Sequence, residues 1–157
     1  MTSRRSVLHV VLGDAGAALD VAPALLKLQE QGVEIEWHVD PSPLARAGRV
    51  LNQYGISYDM RGPRDYDLRD DARVIVGTST KAIGFQLEWT AWANEKGVPV
   101  WWYDDLYVNS CRRDVMGVCP DKILCIATLG QSIVRRLRPG TATAIVGKGS
   151  FGALPSE

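Results

Sequence analysis

The segment from Arg73 to Asp105, RVIVGTSTKAIGFQLEWTAWANEKGVPVWWYDD, constrains the fold more than any other part of the chain. An apolar run, a helical stretch and a second apolar run follow one another. Each run ends in polar residues, Gly77-Thr78-Ser79-Thr80 after the first and Asp104-Asp105 after the second. Two strands joined through a helix make a β-α-β unit, in which the crossover returns the chain to the same end and the strands run parallel. Both polar ends then share one sheet edge, the edge at which open α/β sheets hold ligands.

The flanking sequence continues the alternation. Val7 to Leu12 is a short apolar run closed by Gly13-Asp14-Ala15-Gly16, which reads as a buried first strand and a turn. From Ala17 to Gln31 the apolar positions Leu19, Ala22, Leu25, Leu26 and Leu28 mostly follow helical spacing. Pro23 interrupts that pattern, so the helix is predicted to start around Val21 with proline in its first turn, and Gly32 stops it. Val33 to Val39 alternates as a second strand. Pro41-Ser42-Pro43 opens a second predicted helix through Tyr54, Ile56 to Tyr58 reads as a short edge strand, and Arg61 to Asp71 as a charged surface connection. Beyond the strand at Val74 to Val76, the helix at Ile83 to Lys96 and the strand at Val98 to Tyr103 comes a loop of low regularity. Lys122 to Ile126, Leu129 to Leu137 and Ala144 to Val146 then read as strand, helix and strand. The expected fold is α/β, a three-layer Rossmann-like domain with a mostly parallel, doubly wound sheet of about six or seven strands and helices on both faces. Residues 1–157 form one domain in this reading, with no internal repeat or linker.

Composition narrows the function classes. The 157 residues suffice to bury a core without disulfides or metal. Lysine and arginine total 18 and so do aspartate and glutamate, so the chain lacks the basic surplus that neutralises nucleic-acid phosphates. No apolar run approaches the roughly 20 residues of a membrane span. Cys111, Cys119 and Cys125 lack the paired spacing of a zinc site and read as reduced thiols of a cytoplasmic protein. Ser3-Arg4-Arg5-Ser6 imitates a twin-arginine export signal, but the apolar run that follows is short and broken by His9, so the arginines read as a solvated lead-in.

In the common winding order the first strand neighbours the one ending at Gly77, and a crevice opens where the winding reverses. Gly13, Ala15 and Gly16 offer small residues and exposed amides there, and Asp14 a carboxylate. Thr78, Ser79 and Thr80 offer three hydroxyls at the start of a helix, to an anion or sugar oxygen or simply as caps. Asp14 suits a general base and equally a turn former. Asp104 and Asp105, adjacent on a strand, point in opposite directions, so at most one faces the crevice. Asn109 and Arg112 follow, the arginine fit for a phosphate or carboxylate or for pairing with these aspartates. Gly-Asp-Ala-Gly is not a dinucleotide fingerprint, since only Asp40 ends the second strand with an acid, and no Walker sequence is present, so neither a cofactor nor a metal is assigned. Trp89, Trp92, Trp101 and Trp102 read as core, with both faces of the Trp101-Trp102 strand covered by helices; Tyr103 and Tyr107 suit sugar stacking better. His9 and His38 read as structural histidines within strands.

A series of short motifs resembles a known family. Val76-Gly77-Thr78-Ser79, a helix, Gly97-Val98-Pro99-Val100 leading to Asp104, Asn109 with Arg112, Cys119-Pro120-Asp121-Lys122-Ile123 and Val146-Gly147 are similar to the N-terminal half of GT-B glycosyltransferases and UDP-N-acetylglucosamine 2-epimerase-like proteins. The resemblance runs from Val74 onward, and the opening Gly-Asp-x-Gly is compatible with it. It implies an acceptor-side Rossmann-like domain of polysaccharide biosynthesis, with Asp14 at the position where many such enzymes carry a base. In that family a second domain holds the nucleotide-sugar, and nothing up to Glu157 matches its Gly-rich site. The resemblance therefore implies a half-domain that binds a sugar or nucleotide ligand and works with a donor-domain subunit or as a homodimer. Two other readings stand beside it: a non-catalytic nucleotide or sugar-phosphate binding module, and a small hydrolase using Asp14 and Asp104.

Overall fold

The computed structural model describes residues 6–66, 71–78, 83–105 and 109–148. Among these, the elements run β1 (Val7–Leu12), α1 (Ala15–Glu30), β2 (Glu34–Val39), α2 (Ala47–Gln53), β3 (Arg73–Gly77), α3 (Gly84–Lys96), β4 (Val100–Asp104), β5 (Lys122–Cys125), α4 (Thr128–Leu137) and β6 (Ala142–Ile145). The six strands form one sheet in the order β2-β1-β3-β4-β5-β6, and every ladder is parallel. The predicted three-layer Rossmann-like architecture is the observed one, with six strands.

Side-chain alternation splits the core between the two faces. Val10 and Leu12 of β1 pack with Ala17, Ala18, Val21 and Leu25 of α1 and with Val50 and Leu51 of α2. Val11, Val74, Val76, Val100 and Trp102 pack on the opposite face against Trp89 and Trp92 of α3 and Val134 of α4. Strands with such near-continuous apolar runs fit only between two helix layers. At Gly77 a side chain would meet the Ala17 methyl at 2.7 Å, so glycine there lets α1 approach the end of β3.

Several expected boundaries shift for identifiable reasons. The first helix starts at Ala15, and Pro23 lies inside it rather than in its first turn. Proline removes the bond to the carbonyl of Leu19, but Leu19 is exposed, so water can take that carbonyl. Pro41 to Pro43 form a turn instead of a helix start. The Asp40 carboxylate accepts the Ser42 N–H at 2.8 Å, and helix begins only at Ala47. Ile56 to Tyr58 is not a strand; the next residue, Asp59, makes an isolated parallel bridge to His38. Of the four tryptophans expected in the core, Trp89, Trp92 and Trp102 are buried and Trp101 is 38% exposed. Among the described residues its face of the sheet is only partly covered at β5 and β6, where Lys122, Leu124 and Ala144 are half-buried and Ala142 is exposed, and Lys122 Nζ lies 4.5 Å from the Trp101 ring centroid. No described helix is long and apolar enough to cross a membrane. The three cysteines are free thiols.

Candidate functional site

β1 and β3 are neighbours, and their connections leave in opposite directions, so the switch point lies between the Gly13–Gly16 loop and the end of β3. The loop is braced from below. Gly13 O accepts the N–H groups of Arg46 and Ala47, each at 3.0 Å, which ties it to the first turn of α2. Asp14 is the N-terminal cap residue of α1 in an extended conformation, and its side chain makes no capping bond. Ala15 and Gly16 form the first turn of α1. A Cβ on Gly16 would lie 2.5 Å from Asp105 Oδ2, so only glycine admits that carboxylate against the helix.

The end of β4 is pinned by a network. The Thr78 hydroxyl donates to Asp104 Oδ1 at 2.7 Å, and the Ser110 N–H donates to the same oxygen at 3.1 Å. The Ser110 hydroxyl donates to Asp104 Oδ2 in a short hydrogen bond. Asn109 Nδ2 donates to Asp105 Oδ1 at 3.1 Å and reaches Thr78 O at 3.5 Å. Asp104 is thus wholly buried with both oxygens occupied, while Asp105 turns the other way, towards α1, as alternation along a strand requires. Behind the network Arg138, at the end of α4, donates to Ser110 O at 2.6 Å, Val115 O at 2.6 Å and Val118 O at 2.9 Å. Its guanidinium lies 5.1 Å from the Trp102 ring centroid.

The electrostatics of this edge are acidic. Burial pushes the Asp104 carboxyl above its usual range, with the Ser110 and Thr78 hydrogen bonds pulling the other way. Burial, then the neighbouring charges of Asp14 and Asp20, push Asp105 up to about 6, against the pull of Lys148. Asp20 is buried in α1, 3.1 Å from the Tyr103 hydroxyl that donates to it and 3.3 Å from Lys148 Nζ. A phosphate entering this crevice meets these carboxylates, and Asp105 already lies against the first turn of α1, where an anion would otherwise sit. Carboxylates and backbone carbonyls suit a ligand that donates hydroxyl hydrogen bonds.

The structure therefore brings together Gly13, Asp14, Ala15, Gly16, Thr78, Asp104 and Asn109. Arg112 sits half-buried on the same turn as Asn109, its N–H 3.4 Å from Asn109 O. Thr78 follows β3 and does not cap α3, whose first residue is Gly84. Ser79, Thr80 and Tyr107 lie outside the described residues. Tyr103 is buried, with its hydroxyl on Asp20 and on Gly147 O, and offers no stacking face.

Sequence reasoning missed Asp20, Ser110 and Arg138. Asp20 left a readable signal, an acid within the apolar stripe Ala17, Ala18, Val21, Ala22. Arg138 left little, since a basic residue in the last turn of a helix usually caps exposed carbonyls. It also took His9 and His38 separately, whereas the structure places His9 Nδ1 3.0 Å from His38 Nε2. Burial first, then the neighbouring His9, lower the His38 pKa to about 3, so that imidazole is neutral in the folded protein.

No family model matches the chain, and no curated protein matches it. Solved structures do. MnaA of S. aureus, in its co-structure with UDP, superposes with a TM-score of 0.66 at 14% identity, over 92% of this chain and 45% of that one. MurG of Acinetobacter baumannii superposes with a TM-score of 0.62 at 14% identity, over 98% of this chain and 46% of that one. At that identity the likeness establishes a shared Rossmann-like fold and nothing more. The chain spans about half the length of the structures it matches.

Proposed function

We propose that this chain is a glycosyltransferase-like half-domain that binds a hydroxyl-rich sugar acceptor at the β1–β3 switch point and is completed by a second domain, a partner subunit or another copy of itself. The observation that carries the reading is the acidic crevice built on a fold shared with MnaA and MurG. Asp14 is the residue that precedes α1 beside it, and Asp105 lies against the first turn of that helix, where an anionic group would sit. Asp14 is then the residue for contacting an acceptor hydroxyl. Asp104, with both oxygens already hydrogen-bonded, is suited to positioning the Asn109–Cys111 turn rather than to proton transfer. The partly open sheet face around Trp101 supports association with a second body.

A thermal-shift series tests the ligand class. A sugar present at ten times its Kd stabilises the fold by about 1.4 kcal/mol, a rise of a few degrees for a domain of this size. N-acetylglucosamine and its oligomers are expected to raise Tm, and Asp14→Asn to abolish the rise. A rise with UDP or sugar phosphates and none with neutral sugars would instead support the phosphate-binding module.

A further inference from the structure

On the opposite side of β1 from the α1 layer, the parallel register sets His9 against Glu36 and Val11 against His38. Alternation sends His9, Glu36 and His38 to one face of the sheet. His9 Nδ1 lies 3.0 Å from His38 Nε2 and 3.6 Å from Glu36 Oε2. One donor atom from each side chain falls within 4.8 Å of the others. We propose that His9, His38 and Glu36 form a binding site for a divalent transition-metal ion of the zinc class, with its remaining position open towards the cleft beside β2.

The spacing suits such an ion. Tetrahedral zinc holds nitrogen and oxygen donors at about 2.0–2.2 Å, which places neighbouring donors about 3.3 Å apart. The His9–His38 and His9–Glu36 separations fall on either side of that value and the third lies within 4.8 Å, so side-chain rotations bring all three donors into range. Two imidazoles and one carboxylate, with a position left open, also form a donor set used by three-ligand zinc sites. The imidazoles favour zinc and its neighbours over magnesium or calcium, which prefer all-oxygen shells.

The surroundings hold the ligands and leave a way in. The Trp89 ring centroid lies 4.3 Å from that of His38 and 5.7 Å from that of His9, and the Tyr66 ring closes on His38 at 4.8 Å. Both imidazoles are buried, while the Glu36 side chain is 44% exposed. Glu36 and His38 line a cleft of ≈ 610 Å³ together with Asp59, Arg61 and Tyr66. Without metal, one facing ring nitrogen carries a proton and donates it to the other. On metal binding that proton moves to the far nitrogen of its own ring, which frees both facing lone pairs with no net change in protonation. His38 Nδ1 has no hydrogen-bond partner among the described residues, so the contact with His9 is the only hydrogen bond holding that ring there. A bond to metal would fix its orientation more firmly.

The test uses the full chain, stripped with EDTA and carrying Cys119→Ser so that the exposed thiol offers no competing ligand. Zinc titrated calorimetrically is expected to bind at one ion per chain with a Kd in the micromolar range or tighter and to raise Tm. Cobalt is expected to give the intense visible absorption of a tetrahedral ion. Glu36→Gln, a substitution on a half-exposed side chain, is expected to weaken both at least tenfold while leaving the far-UV spectrum unchanged. The proposal is overturned by the absence of stoichiometric binding, by an equal Kd in Glu36→Gln, or by the weak spectrum of octahedral cobalt. In those cases the two histidines are a hydrogen-bonded structural pair.

Discussion

Arg138 Nε lies 2.6 Å from the carbonyl oxygen of Ser110, and through that one contact the end of α4 holds the turn that satisfies Asp104 at the end of β4. Three loop carbonyls depend on this single guanidinium. Arg138→Met keeps much of the packing on Trp102 but takes the guanidinium donor from all three, Val115 O keeping the Val118 N–H at 3.2 Å. Its expected cost is about 2–4 kcal/mol in urea unfolding. Arg138→Lys, which cannot present the same planar fork, should recover less than half of that loss.

Thr78 stabilises the charged form of a buried acid, so removing its hydroxyl should cost more as pH rises. Thr78→Val is close in shape and takes away the 2.7 Å bond to Asp104 Oδ1. A penalty of about 1–3 kcal/mol is expected near neutral pH, shrinking in acid as Asp104 takes up a proton. Unfolding curves for the variant and the parent at several pH values check this, and a pH-independent penalty would contradict it.

Asp105 gives the opposite sign from a salt-bridged acid. Its folded-state pKa is raised to about 6, so its contribution is fully present below the unfolded value of about 3.9 and is lost as pH rises through 6. Asp105→Asn should therefore leave stability unchanged near pH 4 and raise it by up to about 3 kcal/mol above pH 7. Direct titration of the Asp105 carboxyl by NMR provides an independent readout.

Gly16 and Asp105 form a pair that a double-mutant cycle can separate. Alanine is the better helix former by about 1 kcal/mol, yet its Cβ would stand 2.5 Å from Asp105 Oδ2. Gly16→Ala alone is expected to destabilise by about 1–3 kcal/mol. In an Asp105→Ser background the same change should become neutral or stabilising, because the obstructing atom is gone. Equal effects in the two backgrounds would show that the close approach costs nothing.

The central strands were legible because buried parallel strands are written as near-continuous apolar runs, as Val7–Leu12 and Val74–Val76 are. Their glycine-bounded ends also mark the edge at which the winding reverses between β1 and β3. Pro23 misled because the cost of a proline within a helix is local and the packing of the rest of the helix can outweigh it. Ile56 to Tyr58 misled because a short apolar run reads alike whether it joins a sheet or only lies against its edge. The contacts of Arg138 with the 109–118 loop reach across 20 to 28 residues of chain and leave no periodic trace. The meeting of His9 with His38 depends on the register of two parallel strands, which composition and spacing do not set.

The uneven covering of the sheet also gives the protein a built-in optical probe. Trp37, Trp89, Trp92 and Trp102 are shielded, whereas Trp101 stands 38% exposed beside Lys122. Acrylamide should therefore quench chiefly the red-shifted fraction of the emission that belongs to Trp101. Any body that settles over the β4–β6 face should shift that fraction to the blue and protect it, while a ligand confined to the acidic crevice should leave it unchanged. A single fluorescence titration can thus distinguish closure by a second domain from occupation by a small molecule.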